Sequence, residues 1–145
     1  MDFRREAIDK LRCYTAKRES LARSEREIRR LEMEFIRTKS ATSGCAPVSG
    51  GTSRQEDAMI NNISLRTELE NAMKLTREWL DIVDGALASL DDEDRRVLEL
   101  MCIRKARGNL DRLCAELHIE HSTAYRRRDA ALRRFTMSLY GVVEI

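Results

Sequence analysis

The 145-residue chain is poor in helix breakers and in rings: one proline, six glycines and 5% aromatic residues. That scarcity of turn formers and aromatics argues against a sandwich or barrel, which needs a turn every few residues. Long apolar runs are also missing, and none approaches the roughly 18 residues of a membrane-spanning helix. The start, MDFRREAIDK, has no apolar segment of the secretory type. Four cysteines, Cys13, Cys45, Cys102 and Cys114, are scattered singly, unlike a disulfide scaffold. A reducing cytoplasm is expected. A Gly-rich phosphate loop, a nucleophile elbow and a metalloprotease motif are lacking too, so no enzymatic activity and no cofactor are expected.

What the chain does have is charge, 36% of residues, nearly balanced at +2. Balance over the whole leaves distribution as the signal. Residues 91–99 hold five acids and two arginines, whereas residues 104–134 hold nine basic residues and four acids. A basic region therefore follows an acidic helix start.

From Phe3 to Thr38 the chain contains neither proline nor glycine, and Ala7, Tyr14, Leu21, Ile28 and Phe35 recur at seven-residue intervals with Ile8, Leu11 and Leu31 beside them. This predicts one long helix with one apolar stripe. Arg18, Glu25 and Glu32 stand where a parallel zipper would want Leu or Ile, so a strong parallel zipper is not expected. Residues 39–54, KSATSGCAPVSGGTSR, read as a flexible loop. A second helix is predicted from Ser53 or Gln55 towards Leu90, with Ser53 and Glu56 as a capping box. Its apolar series is Ala58, Asn62, Leu65, Leu69, Ala72, Thr76, Trp79, Val83, Ala86 and Leu90. Met59, Ile63, Met73, Leu80 and Leu87 fall on a neighbouring face, available to a second chain or to the C-terminal region. Two such helices joined by a loop imply an antiparallel hairpin, or coiled coil, over residues 1–90 that serves oligomerisation, as a homodimer or higher homo-oligomer.

Beyond Leu90, Asp91 and the acids Asp92, Glu93 and Asp94 predict an N-cap and a helix start. Val97, Leu98, Leu100, Met101 and Ile103 form its buried side, and Gly108 is its stop. Residues 109–135 then hold two short helical patterns around a tight turn: Leu110, Leu113, Cys114 and Leu117 face one way, and Ala124, Ala131, Leu132 and Phe135 face back. This spacing predicts a helix-turn-helix, with Cys114 as the small residue at the crossing and Ile119 pinning the corner.

The second of these helices carries His121-Ser122-Thr123 and then Tyr125-Arg126-Arg127-Arg128. A helix of this kind in a major groove offers its N-terminal side chains to base edges, while flanking arginines neutralise phosphates. The plainer reading of the arginine run is a solvated helix face.

The run Leu110–Phe135 resembles region four of bacterial sigma factors, and Ser122–Arg128 with Ala131-Leu132 is more similar to phage and prophage late-gene transcription regulators of the RinA and ArpU type. Leu90–Leu98 resembles the helix that opens that domain. The resemblance implies an all-α protein: a hairpin over 1–90, a helix-turn-helix domain over 91–138 and a tail over 139–145. It further implies base contacts from His121, Ser122, Tyr125 and Arg126, and phosphate contacts from Arg112, Thr123, Arg127 and Arg128. The chain departs from the pattern at His118, where glycine often makes the turn, and at Glu120, where Ser or Thr would cap; Ser122 offers a later cap. Ala124 is smaller than the usual branched residue. Tyr125 could alternatively pack under the C-terminal tail, and Thr123 could bond the local helix start.

The expected partner is double-stranded DNA and the expected role transcription regulation. A DNA-packaging subunit of the small-terminase kind and a protein-binding module that contacts RNA polymerase are the alternatives. Cys102, Cys114, His118 and His121 do not follow a usual zinc-finger spacing, so no metal is expected.

Overall fold

A computed structural model describes residues 2–42 and 51–143, and these are helical apart from short turns. The elements are α1 (Phe3–Thr42), α2 (Gly51–Ala88), α3 (Asp92–Leu98), a π-helical turn (Glu99–Ile103), α4 (Asn109–Leu117) and α5 (His121–Tyr140). No helix among the described residues is long and apolar enough to cross a membrane. The chain forms two compact units, one of Met1–Arg18 with Glu78–Ile145 and the other of Glu19–Arg77. They are drawn differently from a division at residue 90, because the start of α1 and the end of α2 pack with α3, α4 and α5.

Both long helices are longer than the sequence suggests. Residues 39–42 belong to α1 and residues 51–54 to α2, so the expected 39–54 loop shrinks from both sides. Residues 43–50, with Cys45, lie outside the described residues. Ser53 consequently sits inside α2 and does not cap it with Glu56, a correction to the expected capping box. Gly, Ser and Thr cost a helix only about 0.5–1 kcal/mol each, and an established helix extends through such residues because propagation needs no new nucleus.

In the unit Glu19–Arg77, chain directions are opposed: Glu25 meets Arg77 at 3.2 Å, and the Asn62 side-chain amide donates to the Leu31 carbonyl at 2.8 Å. The buried seam of α2 is Asn62 and Met73, with Met59, Arg66, Leu69 and Thr76 half-buried. Ala58, Leu65 and Ala72, expected to face the partner helix, are exposed, and Met73, expected on the outer face, is buried. The expected and observed series share Asn62, Leu69 and Thr76, and α2 is apolar on both flanks of that line, so spacing alone cannot choose the flank.

The other unit has a contiguous core of Leu11, Val83, Val97, Leu98, Leu113, Ala131, Leu132 and Phe135, with further residues packed around it. Leu80, also expected on the outer face of α2, is buried here, and Leu87 is packed against the core. Asp91 caps α3 as its sequence predicts, its Oδ1 accepting from the Asp94 amide at 2.8 Å. The helix then widens: the Arg104 amide donates to the Glu99 carbonyl, five residues back, at 2.8 Å. This π-helical turn, a feature absent from the sequence reading, buries Leu100 and Cys102. Carbonyls released by the widening are taken up by the Asn109 amide, which donates to Leu100 O at 3.0 Å and Arg104 O at 2.6 Å. Gly108, with φ +86°, serves as the N-cap of α4 and does not close the preceding helix.

Candidate nucleic-acid interface

The turn between α4 and α5 is His118-Ile119-Glu120. His118 closes α4 in the left-handed conformation (φ 53°, ψ 48°), the only non-glycine among the described residues with positive φ. Its amide donates back to Cys114 O, as does the amide of Ile119 at 3.1 Å, so one carbonyl ends the helix. Ile119 is half-buried and packs on the core, as does Cys114. Across the turn, Leu113 faces Ala124, Ala131, Leu132 and Phe135 in the same cluster, all of them buried. The inward faces expected from the sequence are thus the observed ones.

α5 begins at His121, with Glu120 in the N-cap position and extended there. Glu120 makes no side-chain cap bond, and Ser122 lies within the first turn, so the later, Ser122-capped start is not the observed one. At the other end α5 runs through Tyr140, which makes Leu139 and Tyr140 helical residues instead of tail. Burial pushes the Tyr140 hydroxyl above its ordinary pKa, and the nearby Glu6 carboxylate adds to the effect.

The outward side of α5 is set by its inward one. With Ala124, Ala131, Leu132, Phe135 and Thr136 buried, helical geometry turns His121, Ser122, Tyr125, Arg126, Asp129 and Arg133 to solvent, and all are exposed. Tyr125 is 45% exposed, so it does not pack under the tail. The Arg128 guanidinium lies over its ring, 5.2 Å from the centre. His121 is tied to α4, its Nε2 lying 2.8 Å from Asp111 Oδ1. Arg126 makes no ion pair among the described residues, and neither does Arg133. Arg133 is not among the residues expected from the sequence, yet it lies seven residues, two helical turns, beyond Arg126, a spacing that places both on one face.

The phosphate candidates fare differently. Arg127 is bound by Glu93 of α3. Arg112 pairs with Glu116 at 3.3 Å, Arg128 with Asp129 at 3.3 Å, and Thr123 is half-buried. Arg134 reaches Asp94, a carboxylate 5% exposed, at 2.5 Å; this bond raises the Arg134 pKa further. The acid-rich start of α3 therefore lies along one side of α5, where Asp91, Glu93, Asp94, Thr123, Arg126 and Arg134 line a groove of about 450 Å³.

Arg96 of α3 grips Glu116 of α4 through two nitrogens at 2.8 and 2.9 Å, drawing the Glu116 carboxyl down to about 2; Arg112 contributes less. This pair links α3 to α4, the helix that leads into the turn. Burial pushes the Cys102 thiol up, which suits an inert core residue. Among the described residues no three His, Cys, Asp or Glu side chains are grouped as a metal would need. What the surface offers chemically is a row of hydrogen-bond donors and one aromatic ring on one helix. Comparison with known protein families, with curated proteins and with solved structures yields no match for this chain.

Proposed function

We propose that this protein is a sequence-specific DNA-binding transcription regulator of the phage and prophage type, in which α4 and α5 act as a helix-turn-helix and α5 enters the major groove. The observation that carries the reading is the exposed N-terminal half of α5 beyond the left-handed His118 turn, presenting His121, Ser122, Tyr125 and Arg126 together. An arginine there can take guanine O6 and N7 with two hydrogen bonds, and a helix N-terminus suits adjacent phosphates. Residues 1–90 supply a helical hairpin and hold the chain as a homo-oligomer; the exposed Ile60, Ile63, Leu65 and Leu75 of α2 support that assignment. The bacterial cytoplasm is the matching compartment.

The test is selection of bound fragments from the source genome, followed by anisotropy titrations of the recovered duplex and a scrambled one. Arg126→Ala is expected to weaken binding to the selected site by about 10- to 100-fold, the range of one bidentate base contact, with little loss on scrambled DNA. Arg128→Ala is expected to weaken both. Failure of the folded wild-type chain to bind any duplex at low salt overturns the proposal.

One observation favours a second reading, a protein-binding module acting on RNA polymerase. Glu93 and Asp94 already occupy Arg127 and Arg134, which reduces the positive field of α5 on that side. Polymerase capture that persists without DNA binding would support it.

A further inference from the structure

We infer that the DNA surface does not end with the recognition helix but continues onto the first turn of α1, where Arg4 and Arg133 bind a backbone phosphate of the same duplex. This rests on the DNA-binding reading and extends it to a part of the chain assigned above to oligomerisation.

A groove of about 660 Å³ lies between the start of α1 and the second half of α5, lined by Arg4, Asp129, Arg133, Met137, Gly141 and Val142. It is continuous with the outward stripe of α5, since Arg126, Asp129 and Arg133 follow one another at three- and four-residue steps. Asp129 is the one acid in that stripe, and it does not stand alone. Arg4 reaches its Oδ1 at 2.8 Å and Arg128 reaches the same oxygen at 3.3 Å. The two guanidiniums that line the groove, Arg4 and Arg133, against one carboxylate leave it with one positive charge in excess, and Arg128, bonded to the same carboxylate, adds its charge from beside the groove. Arg4 keeps 39% of its side-chain surface in solvent and Arg133 is exposed, so both cations are accessible.

Distance selects the ligand. Twelve residues separate His121 from Arg133, about 18 Å along the helix at 1.5 Å per residue. A major groove is about 12 Å wide. With the start of α5 at base edges, Arg133 has therefore passed out of the groove and stands at its wall, where the phosphates are. The apolar floor of Met137 and Val142 is suited to the sugar edge of the backbone and offers nothing that reads a base. The contact is thus sequence-independent and additional to those of the recognition helix.

The experiment uses the full-length chain and a random-sequence duplex of about 30 base pairs, titrated by anisotropy between about 50 and 300 mM NaCl. Arg133→Ala is expected to make the log–log salt slope shallower by about 0.9, the loss of one phosphate contact. Arg133→Lys should restore it. Arg4 requires a cycle, because removing it also uncovers Asp129: Asp129→Asn should tighten binding, and Arg4→Ala in the Asp129→Asn background should still bind more weakly and with a shallower slope than Asp129→Asn alone. Circular dichroism melts establish that each variant is folded. If wild type binds with a steep slope and both Arg133→Ala and the Arg4 cycle leave it unchanged, the inference fails while the recognition helix stands. If wild type shows no salt-dependent binding at all, both fail together.

Discussion

The two compact units are built from the same material, helices rich in charge, yet they are stabilised unequally. Between Glu19 and Arg77, the buried residues among those described are Leu31, Asn62 and Met73. Around them lie exposed ion pairs, such as Arg30 with Glu27 and Glu34, and exposed apolar side chains including Met33, Ile36, Ile60 and Leu75. In the other unit Leu11, Val83, Val97, Leu98, Leu113, Leu132 and Phe135 are each almost wholly removed from water. The difference is one of geometry more than of composition. Two side-by-side helices can cover only one stripe on each other, whereas short helices crossing at several angles enclose a residue from all sides. Exposed ion pairs add little to the thinner unit, because solvent screens them and ordering long side chains costs entropy.

The largest test of this inequality is truncation at each centre. Phe135→Ala removes a ring with no exposed surface and should cost about 3–5 kcal/mol. Leu31→Ala empties a seam with solvent beside it, which can partly collapse, and should cost about 2 kcal/mol. Denaturant unfolding gives the totals, and hydrogen exchange by segment gives their location: Phe135→Ala should lose protection across 92–140, Leu31→Ala within 19–77. Equal costs would mean that the long helices are held by more than their own seam.

A smaller effect, with opposite sign, is expected at Asn62. Its amide donates to Leu31 O at 2.8 Å, and its Oδ1 accepts from Arg66 Nε at 2.9 Å. The Leu31 carbonyl lies within α1 and has a helical partner besides, and Arg66 can turn to water, so Asn62→Leu strands no polar group. It should stabilise Glu19–Arg77 by about 1 kcal/mol while relaxing the register the amide fixes. A loss of stability would show that the hydrogen bond outweighs the apolar burial replacing it.

His118→Gly probes the better-packed unit at its one strained non-glycine residue. Left-handed backbone costs an L-residue about 1–2 kcal/mol, and glycine returns about 0.5–1 kcal/mol of that through its looser unfolded chain. A net gain of about 0.5 kcal/mol is expected in thermal melts. Gly141→Ala, at φ +73° with open space around it, should lose about 1 kcal/mol by the same argument run backwards.

Legibility in the sequence follows a similar divide between local and distant causes. The long helices, the Asp91 cap and the inward face of Leu113, Ala124 and Phe135 depend on neighbours a few residues away, and periodicity and local residue type expose them. From the same face the outward position of Tyr125 and Arg126 follows. The π-helical turn at Glu99–Ile103 was not legible, because the amide that rewards it belongs to Asn109, on the next helix. Nor was the capture of Arg127 by Glu93, 34 residues earlier. The flank of α2 that carries Met73 and Leu80 was ambiguous because Leu65 and Ala72 make the opposite flank equally apolar. Side-chain pairing between elements is what spacing along the chain does not encode.

The smallest effect compares one ion pair in each unit. Arg96 and Glu116 join α3 to α4, whereas Arg30 and Glu27 lie three residues apart on α1. Both carboxyls are held below their ordinary range by the arginine bonded to them, Glu116 at about 2. A carboxyl with a depressed folded pKa adds stability above its unfolded value, near 4.3, and that contribution disappears as pH falls towards the folded value. The Arg96–Glu116 pair should therefore weaken between about pH 4.5 and pH 2, and the Arg30–Glu27 pair as the pH falls below about 4.5. Screening keeps the effect modest, since more than a third of the Glu116 side chain is exposed. Thermal melts from pH 6 to pH 2 should show Glu116→Gln less stable than wild type at the top of the range and converging with it at the bottom. Glu27→Gln should shift the melt less at any pH, because its pair closes within one helical turn and ties no second element. If the two variants behave alike, the Arg96–Glu116 bridge is only a surface pair, and the fixed position of α4 must come from Leu113 and its apolar neighbours alone.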